Sequence, residues 1–252
     1  METVIYDGSF EGWLTAVFTV FEHRFRQARI SNSKDFQQSM FGKEFQVTTD
    51  EMKAQRVWKG LEQRLSKSAL HQLYKSWLSE LPGMDTTLLF YVQYAFSSKF
   101  SIETDFSSHA VLTVTETAKK VHREKHRMEA FVRFQLTKDG LYYAIIEPDY
   151  NVLPLIRRHF ENRYADQRWM IYDGRRKYGL YYNLEKVDTV HVNFEPATNG
   201  GKDITAVYDE QEELYQNLWK RYFHSVNIAA RKNMKLHVQH MPMRYWKFLT
   251  EK

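Results

Sequence analysis

Two alternating segments, each folded back at an Asp-Gly pair, limit what this chain can become more than any other feature of its sequence. Residues 130–136 and 141–147 flank Lys138-Asp139-Gly140, while residues 168–172 and 176–183 flank Asp173-Gly174. Apolar–polar alternation turns one face of a strand inward, and Asp-Gly supplies the backbone freedom of a tight reversal. Between the two hairpins Pro148 and Pro154 bracket a loop, and residues 155–164 carry helical spacing. The order strand–strand–helix–strand–strand predicts an α+β fold, an antiparallel sheet packed with several helices. Residues 187–194 add a further strand.

Helical periodicity dominates the chain before the hairpins. A short strand over 3–6 ends at Asp7-Gly8, and Ser9 caps a helix with Phe10, Leu14, Val17, Phe18, Phe21 and Phe25 on one face. Residues 31–49 have mixed spacing that fits a loop and a strand. A long helix is expected from Asp50, striped by Val57, Leu61, Leu65, Leu73 and Leu78 and stopped at Leu81-Pro82-Gly83. A second spans 86–100. A third begins near Asp105, with Phe106, Ala110, Val111, Val114, Ala118 and Val121 at three-to-four spacing. Further helices are expected over 210–230 and after Pro242. No fixed-period repeat or low-complexity linker interrupts the chain, so one compact domain over 1–252 is expected. It would be helix-rich over 1–128, with a sheet core over 129–195 and C-terminal helices over 209–252.

Composition narrows the chemistry. Thirty-nine aromatic residues (17 Phe, 16 Tyr, 6 Trp) supply the apolar area of a core. Cysteine is absent, which removes disulfides, thiolate metal sites and cysteine nucleophiles. The acidic start shows no signal peptide, and no apolar run approaches the ~20 residues that span a bilayer, so a cytoplasmic protein away from membranes is expected. Neither a glycine-rich phosphate loop nor a dinucleotide fingerprint nor a serine elbow occurs, which argues against the familiar nucleotide-hydrolysing and hydride-transfer enzymes. No cofactor is implied.

The cations are clustered. Residues 119–134, K-K-V-H-R-E-K-H-R-M-E-A-F-V-R-F, join a basic helix end to an aromatic segment in which Arg133 lies between Phe131 and Phe134. From Lys220 to Lys252 eight Lys/Arg face the single Glu251, a net of 8 − 1 = +7. Basic side chains interleaved with aromatic ones suit a polyanion whose bases stack, and nucleic acid is the first such partner. Arg123, His126, Arg127, Arg133, Arg168 and Arg244 are the candidate phosphate contacts, and Trp169 or Tyr245 the candidate stacking faces. The reading requires Arg127, Arg168 and Arg244 to meet on one face instead of each being locked to a carboxylate.

Candidate chemical groups are sparse. His122 and His126 lie one helical turn apart, but Glu124 sits one place too late for a metalloprotease helix. His237 and His240, with His224 upstream, have no carboxylate near them in sequence, and no metal site is assigned. Glu147-Pro148-Asp149 closes a strand without the Asp/Glu-x-Lys that a restriction-type nuclease core needs, and Asp149 fits a turn or capping residue. Were the chain catalytic, Glu147, Asp149, His126 and His240 would be its candidate acids and bases.

Several segments together resemble a bacterial family of probable DNA-metabolism or DNA-repair proteins. They are Tyr6-Asp7-Gly8-Ser9-Phe10-Glu11-Gly12, Arg123-Glu124-Lys125-His126-Arg127-Met128 leading to Phe131-Val132-Arg133-Phe134, Glu147-Pro148 with Asn151-Val152-Leu153-Pro154-Leu155, Asp166-Gln167-Arg168-Trp169, Tyr178-Gly179-Leu180-Tyr181-Tyr182, and Gln239-His240-Met241-Pro242 with Arg244-Tyr245-Trp246. The resemblance implies a radical-SAM partner and, in some members, fusion to a uracil-DNA-glycosylase-like domain. The absence of cluster cysteines makes this chain similar to the stand-alone form. The expectation is a DNA-binding accessory protein acting with a partner enzyme in repair or base modification. Alternatives are a DNA-processing enzyme, glycosylase-like or a metal-dependent nuclease, and an interaction module for the radical-SAM protein.

Overall fold

A computed structural model describes residues 2–34, 36, 42–137, 140–191 and 241–249. It is α+β, with two sheets. The chain divides into two compact units, Met1–His122 and Arg123–Lys252, and the boundary falls inside a helix.

The first unit contains a parallel sheet in the order β2-β1-β3, formed by β1 (Glu2–Tyr6), β2 (Ala28–Asn32) and β3 (Lys43–Gln46). Parallel neighbours need a crossover, and α1 (Phe10–Glu22) provides it between β1 and β2. Val4, Ile5 and Tyr6 are buried in succession, the pattern of a strand covered on both faces. Ser9 caps α1 as expected, its Oγ accepting from the Gly12 N–H at 2.9 Å. Asp7 braces this cap. Its carboxylate accepts from the Ser9 N–H at 2.9 Å, the Ser9 hydroxyl at 2.6 Å and the Thr49 hydroxyl at 2.7 Å. Burial works to raise the Asp7 pKa, but the hydrogen bonds from Ser9 and Thr49 outweigh it and the pKa is lowered. A Cβ on residue 12 would lie 2.2 Å from Asp7 Oδ1, so the first turn of α1 admits only glycine there.

The long helix expected from Asp50 is two helices, α2 (Glu51–Glu62) and α3 (Lys67–Trp77). Ser66 interrupts the stripe as a new N-cap, accepting from the Ala69 N–H at 3.2 Å. The Glu103 carboxylate in turn accepts from the Ser66 N–H at 2.7 Å and its hydroxyl at 2.8 Å. The periodicity survives the break because both halves bury the same face, through Val57, Leu61, Leu65 and Leu73. Next comes α4 (Met84–Ser97), which closes the core with Leu88, Leu89 and Val92.

Helix α5 (His109–Phe131) runs through the start of the strand expected from residue 130. Its end is held by Arg133, whose Nη1 donates to the Ala130 carbonyl at 2.8 Å and the Val132 carbonyl at 3.3 Å. The strand is left as β4 (Gln135–Leu136). The second sheet has the order β4-β5-β6-β7-β8, with β5 (Tyr142–Ile146), β6 (Trp169–Asp173), β7 (Tyr178–Tyr182) and β8 (Val187–Val190). It is mixed, which corrects the expected antiparallel sheet. Pairing is antiparallel for β4–β5, β6–β7 and β7–β8, but β5–β6 is parallel because α6 (Leu153–Arg163) crosses over between them. Central β6 is buried along its whole length, and α6 buries Leu153, Ile156 and Phe160. The expected short helix after Pro242 is a 3-10 helix, Met243–Phe248. The expected helix over 210–230 and the end of the strand expected over 187–194 lie outside the described residues.

Gly12→Ala is expected to lower the unfolding free energy by about 1–3 kcal/mol in a urea titration. Adding Asp7→Ala to that variant should recover part of the loss, because it removes the atom the new methyl group strikes. Losses that simply add would place the cause elsewhere.

Candidate functional site

Helix α5 buries Val114, Ala118, Val121 and Met128 at three-to-four spacing, and Glu124 stands where that stripe calls for an apolar residue. Glu124 is 1% exposed. A carboxylate taken out of water requires partners, and the second unit supplies them. Oε1 accepts from the Asp149 N–H at 2.9 Å, and Oε2 from Arg244 Nη2 at 2.8 Å. Arg127 Nη1 lies 3.9 Å from the same Oε2.

Asp149 is the second centre of this cluster, held from three sides. Its carboxylate pairs with Arg244 Nη1 at 2.7 Å, and its N–H is spent on Glu124. Its carbonyl accepts from Arg176 Nη2 at 3.1 Å and Arg175 Nη1 at 3.4 Å. Arg176 also donates to the Pro148 carbonyl at 3.1 Å and to the fully buried Asp173 at 2.9 Å. The β6–β7 turn thus clamps the loop that leaves β5. Glu147 in that loop pairs with Lys247 at 2.5 Å. These loops leave the carboxyl ends of the parallel β5–β6 pair, the edge where open α/β sheets commonly bind ligands.

Arg244 and Tyr245 arrive on the 3-10 helix. The Arg244 guanidinium lies 4.6 Å from the Tyr245 ring centroid and donates to its hydroxyl, while the ring packs on Phe131 at 5.9 Å. Burial weakens the hold of Arg244 on its proton, but the Tyr245 hydrogen bond and the charges of Glu124 and Asp149 outweigh it, and the pKa is raised. Burial pushes the Tyr245 hydroxyl well above its ordinary pKa, and hydrogen bonding and charge from Glu124 push it further.

The structure sorts the residues singled out in the sequence. Arg127 and Arg244 converge on one buried acid, so they do not form an open phosphate cradle. Arg133 caps α5. Trp169 is fully buried, stacked on Tyr182 at 5.5 Å and beside Phe160 at 6.1 Å, and Tyr245 is 2% exposed, so neither presents a ring face to a base. The reason is position: Trp169 opens the central strand, and Tyr245 seals the clasp around Glu124. Arg168 is exposed at the start of β6. Arg123 is exposed and forms no ion pair among the described residues. His126 is exposed and faces Glu129 at 3.9 Å; the same Glu129 binds Lys125 at 2.6 Å and lies 3.6 Å from His159. His240 lies outside the described residues. Among the described residues, no group of three or more His, Asp or Glu is placed to hold a metal ion. No described helix is long and apolar enough to cross a membrane.

Glu124 is the residue that sequence reasoning passed over, weighing it only as a misplaced metalloprotease acid. Its signal was available as a carboxylate at an apolar position of the α5 stripe.

A model of the family described as a domain of unknown function, DUF4130, matches residues 82–251. The chain belongs to this family. The DUF4130 match takes in α4, α5, the second sheet and the clasp formed by Arg244 and Tyr245, and it excludes the parallel sheet and α1–α3. No curated protein matches the chain.

Glu124→Leu should cost about 1–3 kcal/mol of stability, because it leaves the Asp149 N–H without its acceptor and takes one of two carboxylates from Arg244. Joining Arg244→Met to it should cost less than the two losses summed, as read from urea unfolding of both single variants and the pair. A second expectation concerns alkaline pH. Because folding raises the Tyr245 pKa, its contribution is fully present below the ordinary value of ~10 and is lost as pH climbs beyond it. Stability measured at pH 9, 10 and 11 should fall along that series, and Tyr245→Phe should make the fall shallower.

Proposed function

We propose that this DUF4130 protein is a DNA-binding accessory protein of repair or base modification, acting with a partner enzyme. One observation carries the reading. Lys119, Lys120 and Arg123 follow one another at helical spacing on α5, are exposed, and form no ion pair among the described residues. The exposed His126 continues the stripe one turn later. In the second unit, by contrast, Arg244, Arg176 and Lys247 are spent on carboxylates. An exposed cationic helix face suits a phosphate backbone approached from outside and needs no cleft.

The same geometry weakens the enzyme reading. A general acid or base must exchange its proton with a substrate, whereas Glu147 and Asp149 are each engaged by a cation. The identity of the partner, a radical-SAM or uracil-DNA-glycosylase-like protein, rests on the resemblance alone.

Affinity for single-stranded and duplex DNA, followed by fluorescence anisotropy across a potassium chloride series, should fall linearly on logarithmic axes. Alanine at Lys119, Lys120 and Arg123 together should reduce the duplex slope by about 2–3, at roughly 0.9 for each phosphate no longer neutralised. A flat salt response, or a slope the triple variant leaves unchanged, sinks the proposal.

A further inference from the structure

The first unit carries an aromatic surface that the DNA-binding reading leaves unused. Phe10, in the first turn of α1, is ringed by Trp58 of α2 and by Tyr74 and Trp77 of α3, at centroid distances of 5.7, 5.0 and 5.1 Å. Tyr74 and Trp77 stack on each other at 6.0 Å. All four rings are only half-buried. Trp13 and Trp77 spend their indole N–H groups internally, on the Asp85 carbonyl at 3.2 Å and the Tyr6 hydroxyl at 3.3 Å. The Trp58 N–H and the Tyr74 hydroxyl find no hydrogen-bond partner among the described residues, and neither atom is buried. Glu11, beside Phe10, is exposed and unpaired among the described residues.

We propose that Phe10, Trp58, Tyr74 and Trp77, with Glu11 next to Phe10 in the first turn of α1, bind an arginine side chain presented by a partner polypeptide. A guanidinium is planar and weakly hydrated, lies flat on aromatic rings, and donates in a fork that a carboxylate accepts. The Trp58 N–H is a donor, which a peptide carbonyl next to that arginine would satisfy. The carboxylate decides the sign of the ligand. Burial and then the Glu11 charge raise the Tyr74 pKa, so the negative field of Glu11 reaches the ring cluster. That field repels a phosphorylated ligand and attracts a cation. The surface lies outside the segment that the DUF4130 model matches, so it does not depend on the DNA-binding proposal.

The test uses the full chain and a ten-residue Gly/Ser/Asn peptide carrying one arginine, with norleucine and lysine versions for comparison. Binding is read from tryptophan fluorescence and from the indole N–H resonances in 1H–15N spectra, with adenosine and cytidine as further probes. The arginine peptide should shift the Trp58 resonance saturably, the lysine peptide less and the norleucine peptide not at all. Glu11→Gln, an exposed change that leaves the fold intact, should weaken the arginine peptide about tenfold, as should Trp58→Phe. Three outcomes overturn the proposal: no saturation up to millimolar peptide, binding that Glu11→Gln leaves unchanged, or nucleosides or norleucine binding as well as arginine.

Discussion

A buried carboxylate organises the second unit. Moving an ion from water to a protein interior costs several kcal/mol even after relaxation, and only well-placed partners offset it. Glu124 gathers its partners from elements far apart in the chain: a guanidinium from the C-terminal 3-10 helix and a backbone N–H from the loop after β5. Each partner is then tied elsewhere, Arg244 to Asp149 and Asp149 to Arg176. The carboxylate therefore acts as a register device. A shift of α5 by one residue would rotate Glu124 away by about 100° and leave Arg244 and the Asp149 N–H without their shared carboxylate. Apolar packing of the same volume gives comparable stability but tolerates such slips more readily.

This network has a functional consequence that a count of charges conceals. The sequence carries 36 Lys/Arg against 31 Asp/Glu, a formal net charge of +5. In the loop cluster around Asp149, however, four acids (Glu124, Glu147, Asp149, Asp173) meet five cations, of which Arg127, Arg176, Arg244 and Lys247 pair with them directly and Arg175 donates to the Asp149 carbonyl. That region is close to neutral, and its arginines are positioned by the fold. Electrostatic attraction for a polyanion has to come from cations with no internal task, and the exposed face of α5 holds such residues.

Local features of the fold were legible, and pairings between distant segments were not. Ser9 and Asp50 announced helix starts because a side-chain oxygen two or three residues ahead of free N–H groups is a local arrangement. The Asp173-Gly174 reversal was readable for the same reason. The parallel sheet escaped notice, since β2 and β3 are short and join β1 through pairings that leave no local pattern. The break between α2 and α3 depends on Glu103, some 37 residues beyond the Ser66 it braces. Site residues were misjudged through burial. The two stacking candidates are buried, Trp169 at the start of the central strand and Tyr245 beside Arg244, whereas Arg244 stays exposed but is engaged by Glu124 and Asp149. The sequence did contain a warning, because an acid inside the apolar stripe of α5 demands a cation from elsewhere, and the basic tail offered one.

Both units have a parallel strand pair, and in both the carboxyl edge is filled by the chain itself. At the end of β1 the Asp7 carboxylate occupies the first turn of α1, where an exogenous anion would otherwise sit. At the end of β5 the Asp149 backbone and carboxylate absorb the donors of Arg244, Arg175 and Arg176. A small-molecule anion binding at either edge would have to displace an internal carboxylate already matched in charge and geometry. Edges that many α/β folds devote to ligands are here committed to stability.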